Sequence, residues 1–183
     1  SIPAVLMNKW DTKFVPLIYD TLTANPFNTQ QLFSVTGTPS DPSFLNLTIG
    51  LSTEGILWYN VFATEDAIDK LGGRPFENFD KVYEGSYDDD ALNAGVKRFK
   101  AQPAALEEIA ANYETSGILQ RPLVTMHTTG DPIVPYWHQQ LYWNKVLDVY
   151  PLYPVQSITI EKYGHCSFTA EEVLGAFTLL VTP

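Results

Sequence analysis

The sequence predicts a mixed α/β fold, with a mainly helical region over residues 1–120 and an α/β region over residues 121–183. Three observations carry this expectation. Beyond residue 120, strand-like apolar stretches alternate with helix-patterned ones. Before it, apolar side chains recur at helical spacing and few stretches read as strands. The 183 residues are 45% hydrophobic and 13% aromatic, ample for a buried core.

Taken in order, the stretch before residue 50 offers only short apolar runs, Ile2 to Met7 and Phe14 to Tyr19. Thr53 to Leu71 carries Ile56, Leu57, Tyr59, Phe62, Ala63, Ala67, Ile68 and Leu71 and stops at Gly72-Gly73, a helix with a glycine end. Ser52 or Thr53 reads as its cap. Asp90 is placed to cap a helix over Ala91 to Lys100, and Pro103 to open one over Ala104 to Tyr113 that Gly117 terminates. Loops rich in Pro, Asn, Asp and Gly run over Thr36 to Pro42 and Gly73 to Asp90.

In the last third, Arg121 to Thr129 holds Leu123, Val124 and Met126 after a proline and leads into Gly130-Asp131, a buried parallel strand closed by a polar loop. Pro135 suits the first position of a helix over Tyr136 to Val149. Val155 to Lys162 reads as a second strand through Val155, Ile158 and Ile160. Thr169 and Glu172 form a capping box ahead of a helix whose Val173, Leu174, Phe177, Leu180 and Val181 fall at helical spacing.

Charge and composition narrow the function classes. Twenty-one acidic against eleven basic residues give a net charge of −10, which disfavours nucleic acid and anionic membrane surfaces as partners. No apolar run approaches the roughly 18 residues of a membrane-spanning helix. The single cysteine, Cys166, excludes an intrachain disulfide and a multi-cysteine metal site. The chain opens at Ser1 without Met, which leaves its compartment open, with a slight lean toward an extracytoplasmic location from its Tyr- and Thr-rich, Lys-poor last third.

The chemistry is concentrated in two segments. Leu123-Val-Thr-Met-His-Thr-Thr-Gly-Asp-Pro-Ile-Val-Pro135 sets a carboxylate at the end of an apolar strand, and Glu161-Lys-Tyr-Gly-His-Cys-Ser-Phe-Thr169 sets a histidine in a loop between a strand and a capped helix. A Gly-Asp-Pro alone is a common turn, and a histidine between Gly and Cys is commonly structural. Together, 34 residues apart and in this order, they resemble the acid and histidine segments of the α/β-hydrolase family, whose triad follows the chain order Ser, acid, His. The resemblance spans about 60 residues, 122 to 181. It implies that Asp131 is the triad acid, with Val134 packed beneath it, and that His165 is the general base, turned toward the acid by Gly164. It requires the imidazole within about 2.6 to 3.2 Å of the carboxylate.

The family's Gly-x-Ser-x-Gly nucleophile turn is absent; Gly50-Leu-Ser-Thr-Glu-Gly55 has the wrong spacing. The upstream oxyanion strand and His-Gly loop are absent too. A whole enzyme of this kind needs some five strands before its acid, which residues 1–120 do not supply, so the chain is expected to be roughly the C-terminal half of one. The resemblance makes residues 1–120 a helical cap, with Trp58, Tyr59, Phe62 and Phe76, and beyond it Tyr136 and Trp137, as candidate lining of a substrate pocket. The serine and oxyanion hole would come from an N-terminal portion of the same protein or from a second copy. The implied substrate is a small-molecule ester, thioester or amide, with no cofactor and no metal.

Rival readings are weaker. His127, Asp131, His138 and His165 form a scattered His/carboxylate set without metal-ligand spacing. Cys166 directly follows His165, so the two side chains are expected to point apart and Cys166 to be a small buried residue. A non-catalytic ligand- or partner-binding module of the same descent has no physical reason to keep both triad partners.

Overall fold

The computed structural model describes residues 4–181; residues 1–3, with Ile2 of the first apolar run, and the last two residues lie outside it. Helix accounts for 58% of the chain, beside one small parallel sheet, so the architecture is mixed α/β. The chain divides into two compact units. Residues 1–38 and 44–114 form the first, and residues 39–43 and 115–183 the second.

The first unit is all helical among its described residues. A 3-10 turn over Ala4–Lys9 and a π turn over Trp10–Phe14 lead into α1 (Val15–Ala24), followed by α2 (Pro26–Thr36). The described part of the first apolar run, from Ala4, is thus a 3-10 turn, and Val15 to Tyr19 of the second lie in α1. Pro26 stands at the start of α2, where its missing N–H costs nothing, and Gly37 closes the helix with a φ of +62°. Trp10 is buried, stacked near Phe14 and edge-on to Phe62.

The long helix α3 spans Leu45–Leu71 and ends, as its glycines suggest, at Gly72 in the left-handed region, whose N–H donates to the Ile68 carbonyl. It starts eight residues before Thr53, so neither Ser52 nor Thr53 caps it. Ser52 is fully buried mid-helix, and the Thr53 hydroxyl donates to the Ile49 carbonyl one turn back at 2.9 Å. Gly50, inside the helix, is there for packing: a Cβ on it would fall 2.1 Å from Cε1 of Tyr19, so its absence lets α1 lie close against α3.

Helix α4 (Asp89–Gly95) is shorter than expected, and its cap is Asp88, whose carboxylate accepts from the Ala91 N–H at 2.9 Å; Asp90 lies inside the first turn. The helix stops before Lys100 because Arg98 is used elsewhere. Its guanidinium donates to the carbonyls of Asn78, Lys81 and Asn93 and pins the loop after α3. Helix α5 spans Pro103–Asn112 and packs on α3, burying Ala105. Its cap is Tyr113, so Gly117 does not terminate it.

The second unit is a strand–helix–strand–helix run. Strand β1 (Val124–Gly130), helix α6 (Trp137–Val149), strand β2 (Gln156–Tyr163) and helix α7 (Ala170–Val181) follow in order. The strands pair in parallel, Val124 opposite Gln156 through Thr128 opposite Ile160. The register then slips by one, so that Gly130 faces Tyr163. Gly117, at φ +73°, nestles against the Lys145 and Val146 backbone. Trp143 and Val146 of α6 are buried, and the Trp143 Nε1–H donates to Thr125 Oγ1 at 2.9 Å, tying α6 to β1. Helix α7 packs on β1, yet its regularly spaced Leu174 and Phe177 are 63% and 58% exposed. No helix among the described residues is long and apolar enough to cross a membrane.

Candidate active site

The site lies at the C-terminal ends of the two strands, the edge at which parallel α/β sheets hold their ligands. The one-residue slip between Thr128 and Gly130 sets its geometry. At the slip the backbones approach so closely that a Cβ on Gly130 would stand 3.0 Å from the Tyr163 Cα, which explains a glycine directly before the acid. Asp131 follows at the strand end and is 4% exposed.

Both carboxylate oxygens of Asp131 are used. Oδ1 accepts the backbone N–H groups of Ile133 at 2.8 Å and Val134 at 2.9 Å, and Oδ2 lies 2.8 Å from Nδ1 of His165. Burial pushes the Asp131 carboxyl upward, but the donated hydrogen bonds from Val134, His165 and Ile133 and the charge attraction of the imidazole outweigh it and hold it below the usual aspartate value. Val134 is 38% exposed, and its backbone N–H is what it offers the carboxylate. The turn 131–134 consumes the residues after the proline as a carboxylate nest, so α6 begins at Trp137, with Tyr136 as its cap.

His165 is carried by the loop between β2 and α7. Gly164 takes a φ of +115°, open to glycine and strained for any other residue. Its N–H donates to the Gly130 carbonyl at 3.1 Å, and its own carbonyl accepts the buried Thr128 hydroxyl at 2.6 Å. The far end of the loop is closed by the capping box: Thr169 N–H donates to Glu172 Oε2 at 2.7 Å, and Glu172 N–H to Thr169 Oγ1 at 3.2 Å. Lys162 donates to the same Glu172 oxygen at 2.7 Å. With Nδ1 engaged by the acid, the imidazole presents Nε2 on its other side, and the ring is 44% exposed.

Cys166 departs from its expected place. It is exposed, its φ is +51°, and its Sγ lies 3.6 Å from Nε2 of His165, so the two consecutive side chains meet. A left-handed backbone at a non-glycine residue carries no signature in the sequence. Thr128 carries no signature either, because a threonine in a strand reads as an ordinary β-former.

The candidate pocket residues fall in both units. In the first, Trp58 stacks on Phe62 with ring centroids 4.7 Å apart and meets Tyr59 edge-on at 5.1 Å, all on α3, while Phe76 is edge-on to Phe99. In the second, the Tyr136 hydroxyl is 2.6 Å from Thr159 Oγ1 and its ring is edge-on to His127; Trp137 stacks on His138 at 3.8 Å. The Nδ1 of His127 lies 2.9 Å from the Thr128 carbonyl. No group of three His, Cys, Asp or Glu side chains among the described residues is arranged to hold a metal ion. No family model, no curated protein and no solved structure matches the chain.

Proposed function

We propose that this chain supplies the acid and the general base of a Ser-His-Asp triad in an α/β-hydrolase, with the nucleophilic serine and the oxyanion donors lying outside its 183 residues. The observation that carries the reading is the contact of His165 Nδ1 with Asp131 Oδ2 at 2.8 Å, made by a buried carboxylate whose other oxygen is already saturated by two backbone donors. A carboxylate so fixed holds one tautomer of the ring, with the proton on Nδ1. Nε2 is then the basic nitrogen, suited to take a proton from a serine hydroxyl as that oxygen attacks an ester, thioester or amide carbonyl. Asp131 stabilises the imidazolium that results. Nε2 next returns the proton to the leaving group, and water releases the acyl group by the same route in reverse.

Two further observations support it. Among the described residues the sheet has two strands, fewer than a stable open sheet needs, and α7 turns large apolar side chains to solvent, so both have room for further strands or a covering surface. We read that complement as an N-terminal portion of the same protein or a second copy, and the helical first unit as the cap. The substrate is a small molecule; nucleic acid and membrane are not partners in this reading, and no cofactor takes part.

The test is intact mass and N-terminal sequencing of native material, followed by a fluorophosphonate probe that labels activated serines. A second chain or upstream segment that takes the label, and loses it when His165 is replaced by Gln, is the expected result. Material in which this chain is alone and no serine is labelled overturns the reading in favour of a non-catalytic binding module.

A further inference from the structure

The proposed triad leaves one chemically active group unused at its centre. The exposed Cys166 thiol, the His165 imidazole and the buried Asp131 carboxylate form one chain of contacts: Sγ to Nε2 at 3.6 Å, then Nδ1 to Oδ2 at 2.8 Å. This is a nucleophile, a base within reach of its proton, and a fixed group that orients the base, all on this chain. We propose that Cys166 is itself a nucleophile, activated by His165 with Asp131 as positioning residue, and that it reacts with small disulfides in solvent.

In that step the thiol proton passes to Nε2 as Sγ attacks one sulfur of a disulfide R–S–S–R. The S–S bond breaks, a mixed disulfide Cys166–S–S–R forms, and the departing R–S⁻ takes the proton back from the imidazolium to leave as R–SH. Cys166 is oxidised and half of the small disulfide is reduced, so the exchange balances without another reactant. With a single cysteine in the sequence no second thiol of this chain can resolve the adduct, which therefore persists until an external thiol attacks it. The adduct stands on the Nε2 side of the ring. Resting on the hydrolase reading, this means that the serine and the thiol compete for one nitrogen and that the mixed disulfide is an inactive form.

The test uses the full chain and 4,4′-dithiodipyridine, a neutral disulfide that the net charge of −10 does not repel, with release of thiopyridone followed by absorbance. Native protein should react faster than the same protein unfolded in guanidinium at equal pH by about 10-fold or more, below the roughly 10²–10⁴-fold a positioned base contributes. His165→Gln should bring the native rate down to the unfolded one, and Cys166→Ser should abolish the release. A native wild-type rate no greater than the unfolded rate overturns the proposal, and needs no variant to fold. Because no serine enters this measurement, a failed fluorophosphonate experiment would sink the hydrolase reading and leave the thiol's reactivity standing, and equal rates here would do the converse.

Discussion

The Thr128 hydroxyl donates to the carbonyl of Gly164 across 2.6 Å, so a buried side chain of β1 fixes the loop that carries His165. Thr128→Val keeps the shape and removes the donor, leaving a buried carbonyl without that partner. We expect a loss of about 1 to 3 kcal/mol in urea unfolding. Exchange broadening of the His165 ring resonances should accompany it, whereas a purely local loss of stability would leave them sharp.

The acid limb of the stability profile should carry the signature of Asp131. Its folded carboxyl lies below the ordinary value of 3.8, so the unfolded chain binds this proton more readily than the folded one. The stabilisation is therefore complete above 3.8 and is lost as pH falls through the lower folded value. Urea midpoints taken from pH 6 downward should fall more steeply for the wild type than for Asp131→Asn, and parallel curves would count against the hydrogen-bonded carboxylate.

In a reconstituted hydrolase the same Asp131→Asn variant should slow turnover by about 10⁴-fold, because an amide offering its N–H to Nδ1 favours the tautomer with the proton on Nε2. Steady-state kinetics on an activated ester would measure this. A loss of less than tenfold would mean that Asp131 orients the loop and not the base.

Gly117 should tolerate no side chain. Its φ of +73° is strained for alanine, and the added Cβ would lie 2.3 Å from the Lys145 carbonyl oxygen, a backbone atom that cannot swing aside. We expect Gly117→Ala to destabilise the second unit by about 1 to 3 kcal/mol or more. Thermal unfolding followed by Trp143 fluorescence would show it, and an unchanged midpoint would contradict the close approach.

The capping box makes a gentler prediction. Thr169→Ala should cost about 0.5 to 2 kcal/mol by removing the acceptor of the Glu172 N–H. Glu172→Ala removes its partner and the Lys162 contact together, and that second part should shrink in high salt. Equal salt dependence in the two variants would show that the Lys162 pair contributes nothing.

Much of the second unit was legible in the sequence because its signals are local: a proline before β1, the two apolar strands, the Thr169–Glu172 box. The first unit was harder. Ser52 and Thr53 have the side chains of helix caps, yet both lie inside α3, which starts at Leu45, and the fit of Gly50 against Tyr19 is a tertiary contact that no local pattern announces. Asp88 and Asp90 are equivalent caps by type, and only the fold of the loop before them selects Asp88. At the site, the acid and histidine could be named from their motifs, whereas the Cys166 contact depends on a backbone angle that no residue type announces.

The histidine loop is clamped at both ends. The loop is held at Gly164 by β1 and at Thr169 by α7, so the entropy of ordering it is lost as this unit folds and not when a ligand binds. Whatever binds beside Nε2 therefore meets an imidazole already held in place, and its binding free energy does not have to supply that ordering.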